Sequence, residues 1–227
     1  MPFDASRVRA ILFDLDGTLA DTDDEYIRRA ARLMGPLRLL FPRQDPTTFL
    51  RWGVMTVESP MTALLVFPDW LGFDDKLVAL SNWLEDLRPR RRAVSHFVLM
   101  AGAMAMLQAL SARYPLGLIT ARSERATLEF VEQFGLAPFL KVVASAQSAP
   151  HTKPYPDPVI WAAKKLGVEP QSCLMVGDTT IDILTGLRAG AQTVGVLCGF
   201  GERAELERCG ANLILPTTAN LTQAMLQ

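Results

Sequence analysis

Short apolar runs alternate with amphipathic stretches along this chain. Runs over 9–13, 116–120, 141–144, 173–177, 192–197 and 212–215 read as buried strands, because each is brief and largely apolar, the first ending in acidic and glycine residues. Helix limits are marked between them. Ser123 opens a helix that Gly135 closes, Asp157-Pro158 opens one that Gly167 closes, and Gly190 closes the helix after Asp178. Such alternation predicts an α/β fold, a doubly wound parallel sheet covered by helices on both faces.

About 100 residues separate the first strand from the second, against the roughly 10–15 of a crossover helix, so a module is inserted there. Its pattern is helical: Phe73, Leu77, Leu80, Leu84 and Leu87 recur at spacings of four and three, and Tyr26, Ile27, Ala30, Leu33 and Met34 mark a second apolar face. The chain thus divides into a core over 1–19 and 97–227 and an α-helical cap over 20–96. The longest apolar run, 97–107, is far shorter than the roughly 20 residues that span a bilayer and reads as the start of a buried helix. Met100, Met104 and Met106 fill gaps in the core there.

Composition narrows the function classes. Hydrophobic residues make up 49% and charged residues 21%, so the chain is globular. Its 23 Lys and Arg against 24 Asp and Glu leave no net basic field to draw it onto nucleic acid or an anionic membrane. An anionic partner must be held locally. Residues 1–9 lack the apolar region of a signal peptide, and export is not expected. Cys173, Cys198 and Cys209 are odd in number and show no metal-site spacing, which suits reduced thiols in a cytoplasmic protein.

The candidate chemistry lies where strands end. Asp14 and Asp16 are two apart at the close of the first strand, so alternation sends both side chains to one side. Paired carboxylates need a cation or a shared proton, and hard oxygen ligands favour Mg²⁺, although a capped acidic turn would also satisfy Asp-x-Asp-Gly. Gly17 supplies a permissive turn and Thr18 a hydroxyl. Asp178 and Asp182 are four apart, on one face of a starting helix, where capping is the alternative. Thr120, with the amides that follow it, is suited to a phosphate oxygen, and equally to an ordinary strand end. Lys153 sits in a loop stiffened by three prolines that would hold its ammonium in place.

In order, Asp14-Leu15-Asp16-Gly17-Thr18-Leu19, Thr120, Lys153-Pro154 and Gly177-Asp178-x-x-x-Asp182 match the four motifs of the haloacid dehalogenase superfamily, which the core from about Val8 to Gly199 resembles. The inserted segment is similar to that superfamily's first-type cap on a Rossmann-like core, and Asp21-Thr22 resembles its phosphoglycolate phosphatase-like branch. The resemblance implies that Asp14 is the nucleophile and Asp16 the acid and then the base. It also implies that Mg²⁺ is held by Asp14, the Asp16 carbonyl and Asp178, with Asp182 in support. Thr120, Ala121 and Lys153 would hold the phosphoryl oxygens. Asp16 argues for phosphoryl transfer rather than dehalogenation, since the dehalogenases resembled here lack that second aspartate.

The expected activity is hydrolysis of a small phosphorylated metabolite, by a monomer or a homodimer. A phosphomutase of the β-phosphoglucomutase kind and a non-catalytic phospholigand-binding protein are the alternatives. Two departures stand out: Met100-Ala101-Gly102 where relatives often carry Pro-Gly, and Ala121-Arg122-Ser123 after Thr120. Arg122 is open to a phosphate or substrate role, but it reads first as a solvated arginine at a helix start. Arg43, Arg51 and Trp52 in the cap read mainly as solvated or buried residues, the basic run 88–92 as solvated, and His96 and His151 as structural or solvated.

Overall fold

A computed structural model describes residues 2–21 and 97–226, which belong to one compact unit assembled from both ends of the chain. The expected cap helices, with Arg43, Arg51, Trp52, the basic run and His96, lie outside the described residues.

The strands are β1 (Ala10–Phe13), β2 (Ala20–Asp21), β3 (Val98–Leu99), β4 (Leu116–Ile119), β5 (Leu140–Ala144), β6 (Cys173–Gly177), β7 (Gln192–Val196) and β8 (Leu213–Leu215). The helices are α1 (Ala103–Ser111), α2 (Glu124–Gln133), α3 (Asp157–Leu166), α4 (Thr180–Arg188), α5 (Arg203–Cys209) and α6 (Leu221–Leu226). Six strands form one parallel sheet in the order β5-β4-β1-β6-β7-β8. The chain starts in the middle at β1, winds outward through β4 and β5, then crosses back to β6, β7 and β8. This is the predicted doubly wound fold, with its switch point at β1.

Alternation along the strands sorts side chains into two cores. Ile11 and Phe13 join Leu116, Leu118, Leu174 and Val176 in a cluster with Met106, Leu107 and Leu110 of α1 and Phe130 of α2. Ala10 and Leu12 face the other way, onto Val159, Ala162 and Ala163 of α3. All residues of β1, β4, β6 and β7 are buried, whereas β5 and β8 at the two edges are only partly covered.

The helix punctuation holds at the closing glycines. Gly135, Gly167 and Gly190 all have positive φ, at 61°, 71° and 79°. The 97–107 run departs from its reading, because its first part is the short strand β3 and the helix begins only at Ala103. Val98 and Leu99 pair antiparallel with Asp21 and Ala20, so β2 and β3 set side by side the points where the chain leaves and re-enters the described residues. A pairing partner distant in sequence outweighs the local apolar run there.

Candidate active site

Asp14, Thr120 and Asp178 each follow one of three adjacent strands. The register explains why they are level: Phe13 pairs with both Leu118 and Val176, so β1, β4 and β6 end together. The Asp14 N–H donates to the Val176 carbonyl (2.8 Å), and the Thr120 N–H donates to Ala144 (2.9 Å). The site therefore occupies the crevice at the carboxyl ends of the strands, at the switch point.

The loop after β1 folds back on itself through Gly17, whose φ is 73°. A Cβ there would lie 2.3 Å from Asp178 Oδ2, so the position needs glycine for both its backbone and its clearance. Gly199 approaches from the other side, where a Cβ would come within 2.1 Å of the same oxygen. Asp178 is thus enclosed by main chain. Its Oδ2 accepts from the Phe200 N–H (2.8 Å), and its Oδ1 from Thr18 Oγ1 (3.3 Å).

Asp14, Asp178 and Asp182 are all buried, with carboxylate oxygens within 4.8 Å of one another. Lys153 Nζ donates to Asp14 Oδ1 and to Asp182 Oδ1 (2.6 Å), and its side chain is only 8% exposed. Asp182 Oδ2 accepts from the N–H (3.1 Å) and hydroxyl (2.7 Å) of Thr179, the N-cap of α4. Asp182 thus caps α4 through one oxygen and faces Lys153 through the other. Asp178, expected on the starting helix, instead precedes it, because α4 begins at Thr180.

The charges do not balance. Burial first, and then repulsion from Asp182, raises the Asp14 carboxyl to about 8 against the pull of Lys153. Burial, with Asp182 and Asp14 alongside, likewise pushes Asp178 well above the usual carboxylate range. Burial opposes the charged form of Lys153, yet Asp14 and Asp182 hold its ammonium above the ordinary lysine value. Were all three carboxylates ionised, the one ammonium would leave two negative charges in a buried space. Among the described residues no donor reaches the second Asp14 oxygen. A divalent cation with a preference for hard oxygen ligands fits this donor set.

Asp16 does not enter that cluster. Its carboxylate is 30% exposed and accepts two hydrogen bonds from Arg122, from Nε to Oδ2 (2.7 Å) and from Nη2 to Oδ1 (2.6 Å). The reading of Arg122 as a solvated helix-start residue is corrected here, since its side chain is 20% exposed and its guanidinium lies over the Phe97 ring, 5.0 Å from the centroid. The sequence could not show this because the adjacency of β1 and β4, which puts residues 16 and 122 on one rim, is a property of strand order. Thr120 Oγ1 accepts from the Arg122 N–H (3.1 Å), and Ala121 is exposed beside it. His151 Nδ1 pairs with Asp157 (2.9 Å), and its ring lies against Tyr155. Phe200 and Thr179 are partners that no motif announced.

All three cysteines are unpaired. Among the described residues no helix is long and apolar enough to cross a membrane.

Residues 11–196 match the model of the haloacid dehalogenase-like hydrolases. The chain is 28% identical over 207 residues to a phosphoglycolate phosphatase of Neisseria gonorrhoeae, covering 89% of this chain and 85% of that one. It is 29% identical over 204 residues to the pyrophosphatase PpaX of Bacillus pumilus, covering 88% of each. Among solved structures, a HAD family hydrolase from Deinococcus radiodurans with bound phosphate and sodium superposes with a TM-score of 0.72 at 23% identity, over 98% of this chain and 96% of that one. With the four motifs gathered at one switch point and the model spanning most of its length, the chain belongs to the haloacid dehalogenase-like hydrolase family.

Proposed function

We propose that this enzyme hydrolyses a small phosphate monoester through an aspartyl-phosphate on Asp14. The observation that carries the reading is the buried Asp14 carboxylate, held by Lys153 at the end of β1 with one oxygen left without a donor among the described residues. Phosphatase names among its relatives point the same way. That oxygen attacks phosphorus and the ester P–O bond breaks. Asp16, on the more open rim, gives a proton to the leaving oxygen and then takes one from the water that attacks the aspartyl-phosphate. Phosphate leaves and the Asp14 carboxylate is restored. Lys153 neutralises part of the charge on the transferring group. The Thr120 hydroxyl already accepts from Arg122, so its own hydrogen is available to a phosphoryl oxygen beside Ala121.

Asp14 and Asp178 are suited to hold Mg²⁺, with Asp182 in support through Lys153, and the family resemblance adds the Asp16 main-chain carbonyl. When bound, that ion supplies the positive charge that keeps Asp14 ionised and offsets the phosphoryl dianion. The insertion over 20–96 acts in this reading as a helical cap that limits substrates to small molecules. Phosphate release across a panel of phosphate esters, with and without Mg²⁺, tests the proposal. Metal-dependent release that Asp14→Asn abolishes is the expected result, and sustained hydrolysis by Asp14→Asn would sink the mechanism.

A further inference from the structure

Arg122 has no part in the chemistry just described, yet its surroundings are built. Its main chain is held on both sides, by the N–H donated to Thr120 Oγ1 (3.1 Å) and by the carbonyl that accepts from the Ala146 N–H (2.9 Å). Its guanidinium lies over Phe97, which is itself packed edge-on against Phe130 at 5.3 Å and anchored by Gln133, whose amide donates to the Phe97 carbonyl (3.1 Å). The two donors that face Asp16 engage separate oxygens of its carboxylate. A surface ion pair holds its partner loosely because both side chains are free to turn. A planar guanidinium stacked on a fixed ring has its orientation settled in advance.

We propose that Arg122 is the positioning residue for Asp16, fixing both carboxylate oxygens and so the direction from which the proton reaches the leaving group. The inference rests on the acid–base role proposed for Asp16. An alkoxide leaving group needs that proton as the P–O bond breaks, whereas nitrophenolate departs without it. A misplaced Asp16 therefore penalises the first far more than the second.

The test compares β-glycerol phosphate with p-nitrophenyl phosphate, the latter as a single turnover with enzyme in excess so that the water step does not enter. Arg122→Gln removes the fork, and Arg122→Lys keeps the charge but not the planar pair of donors that meets the two oxygens. Both variants should lower kcat on β-glycerol phosphate by about tenfold or more, with KM within about threefold and the nitrophenolate rate within about threefold. Added to Asp16→Asn, Arg122→Gln should cost nothing further, since both act through one group. Equal losses on the two esters, a change confined to KM, full activity in Arg122→Lys, or losses that multiply in the double variant would overturn the inference alone. An unaltered protein inert across the whole panel of esters, or an active Asp14→Asn, would overturn the phosphatase reading and the inference with it.

Discussion

Asp14 and Asp16 are separated by one residue, yet their side chains live in different electrostatic regimes. Asp14 lies in a buried cluster where three carboxylates outnumber one ammonium, while Asp16 sits 30% exposed against a single arginine that matches its charge and both of its oxygens. The inner cluster is incomplete as a set of protein groups and gains from a cation. Among the described residues the rim pair is matched charge for charge. Strain on charge is therefore placed where phosphorus would be attacked, and balance where a proton would be handled.

The largest expected effect comes from breaking the inner cluster. Lys153→Met leaves Asp14 and Asp182 buried without their shared donor. Removing one partner of a buried pair typically costs about 3–5 kcal/mol, so urea unfolding in the absence of metal should show a loss of that order. Phosphate release should fall by about a thousandfold as the transferring group loses its fixed positive charge. A stability change below about 1 kcal/mol would place Lys153 in the class of exposed pairs and remove the contrast.

Metal and pH sharpen the same comparison. Because the folded-state pKa of Asp14 is raised to about 8, the stability this group contributes to the metal-free protein is fully present near pH 4 and is lost as pH rises toward 8. Asp178 is shifted in the same direction. Lys153, raised above its ordinary value, stays protonated across this window and adds no slope. Mg²⁺ should therefore stabilise the fold more at pH 8 than at pH 5.5, with about 3 kcal/mol as the ceiling where it stands at a hundredfold excess over Kd. Thermal melts with and without Mg²⁺ at the two pH values check this. A shift that is equal at both, or larger at the lower pH, would show that the cluster is not the metal's site.

Much of this was legible before the structure. Periodicity located all six strands of the main sheet within a residue or two, because strands buried on both faces are apolar throughout and end abruptly at the site. The four motifs marked Asp14, Thr120 and Asp178 because each stands just past a strand end, and Lys153 because its loop is stiffened by prolines ahead of a helix. What escaped depended on which strands are neighbours. Arg122 and Asp16 are 106 residues apart, and the enclosure of Asp178 by Gly17 and Gly199 joins two loops from opposite ends of the core. The β2–β3 pair was hidden for the same reason, since Ala20 finds Leu99 across the whole insertion.

The smallest effect on stability is expected at the rim, and it is the most discriminating. Asp16→Asn keeps the shape of the side chain and one oxygen for Arg122 while removing the charge. Because the pair is partly open to water, solvent takes over much of what is lost, and unfolding free energy should change by less than about 1 kcal/mol. Activity on an alkyl phosphate should nevertheless drop by about a hundredfold or more, the usual weight of a positioned acid. Buried Lys153 would then couple stability and turnover, whereas Asp16 would separate them. If Asp16→Asn instead unfolded as readily as Lys153→Met, the Arg122–Asp16 fork would be a structural tie between the loops after β1 and β4, and the division between a strained centre and a balanced rim would fail.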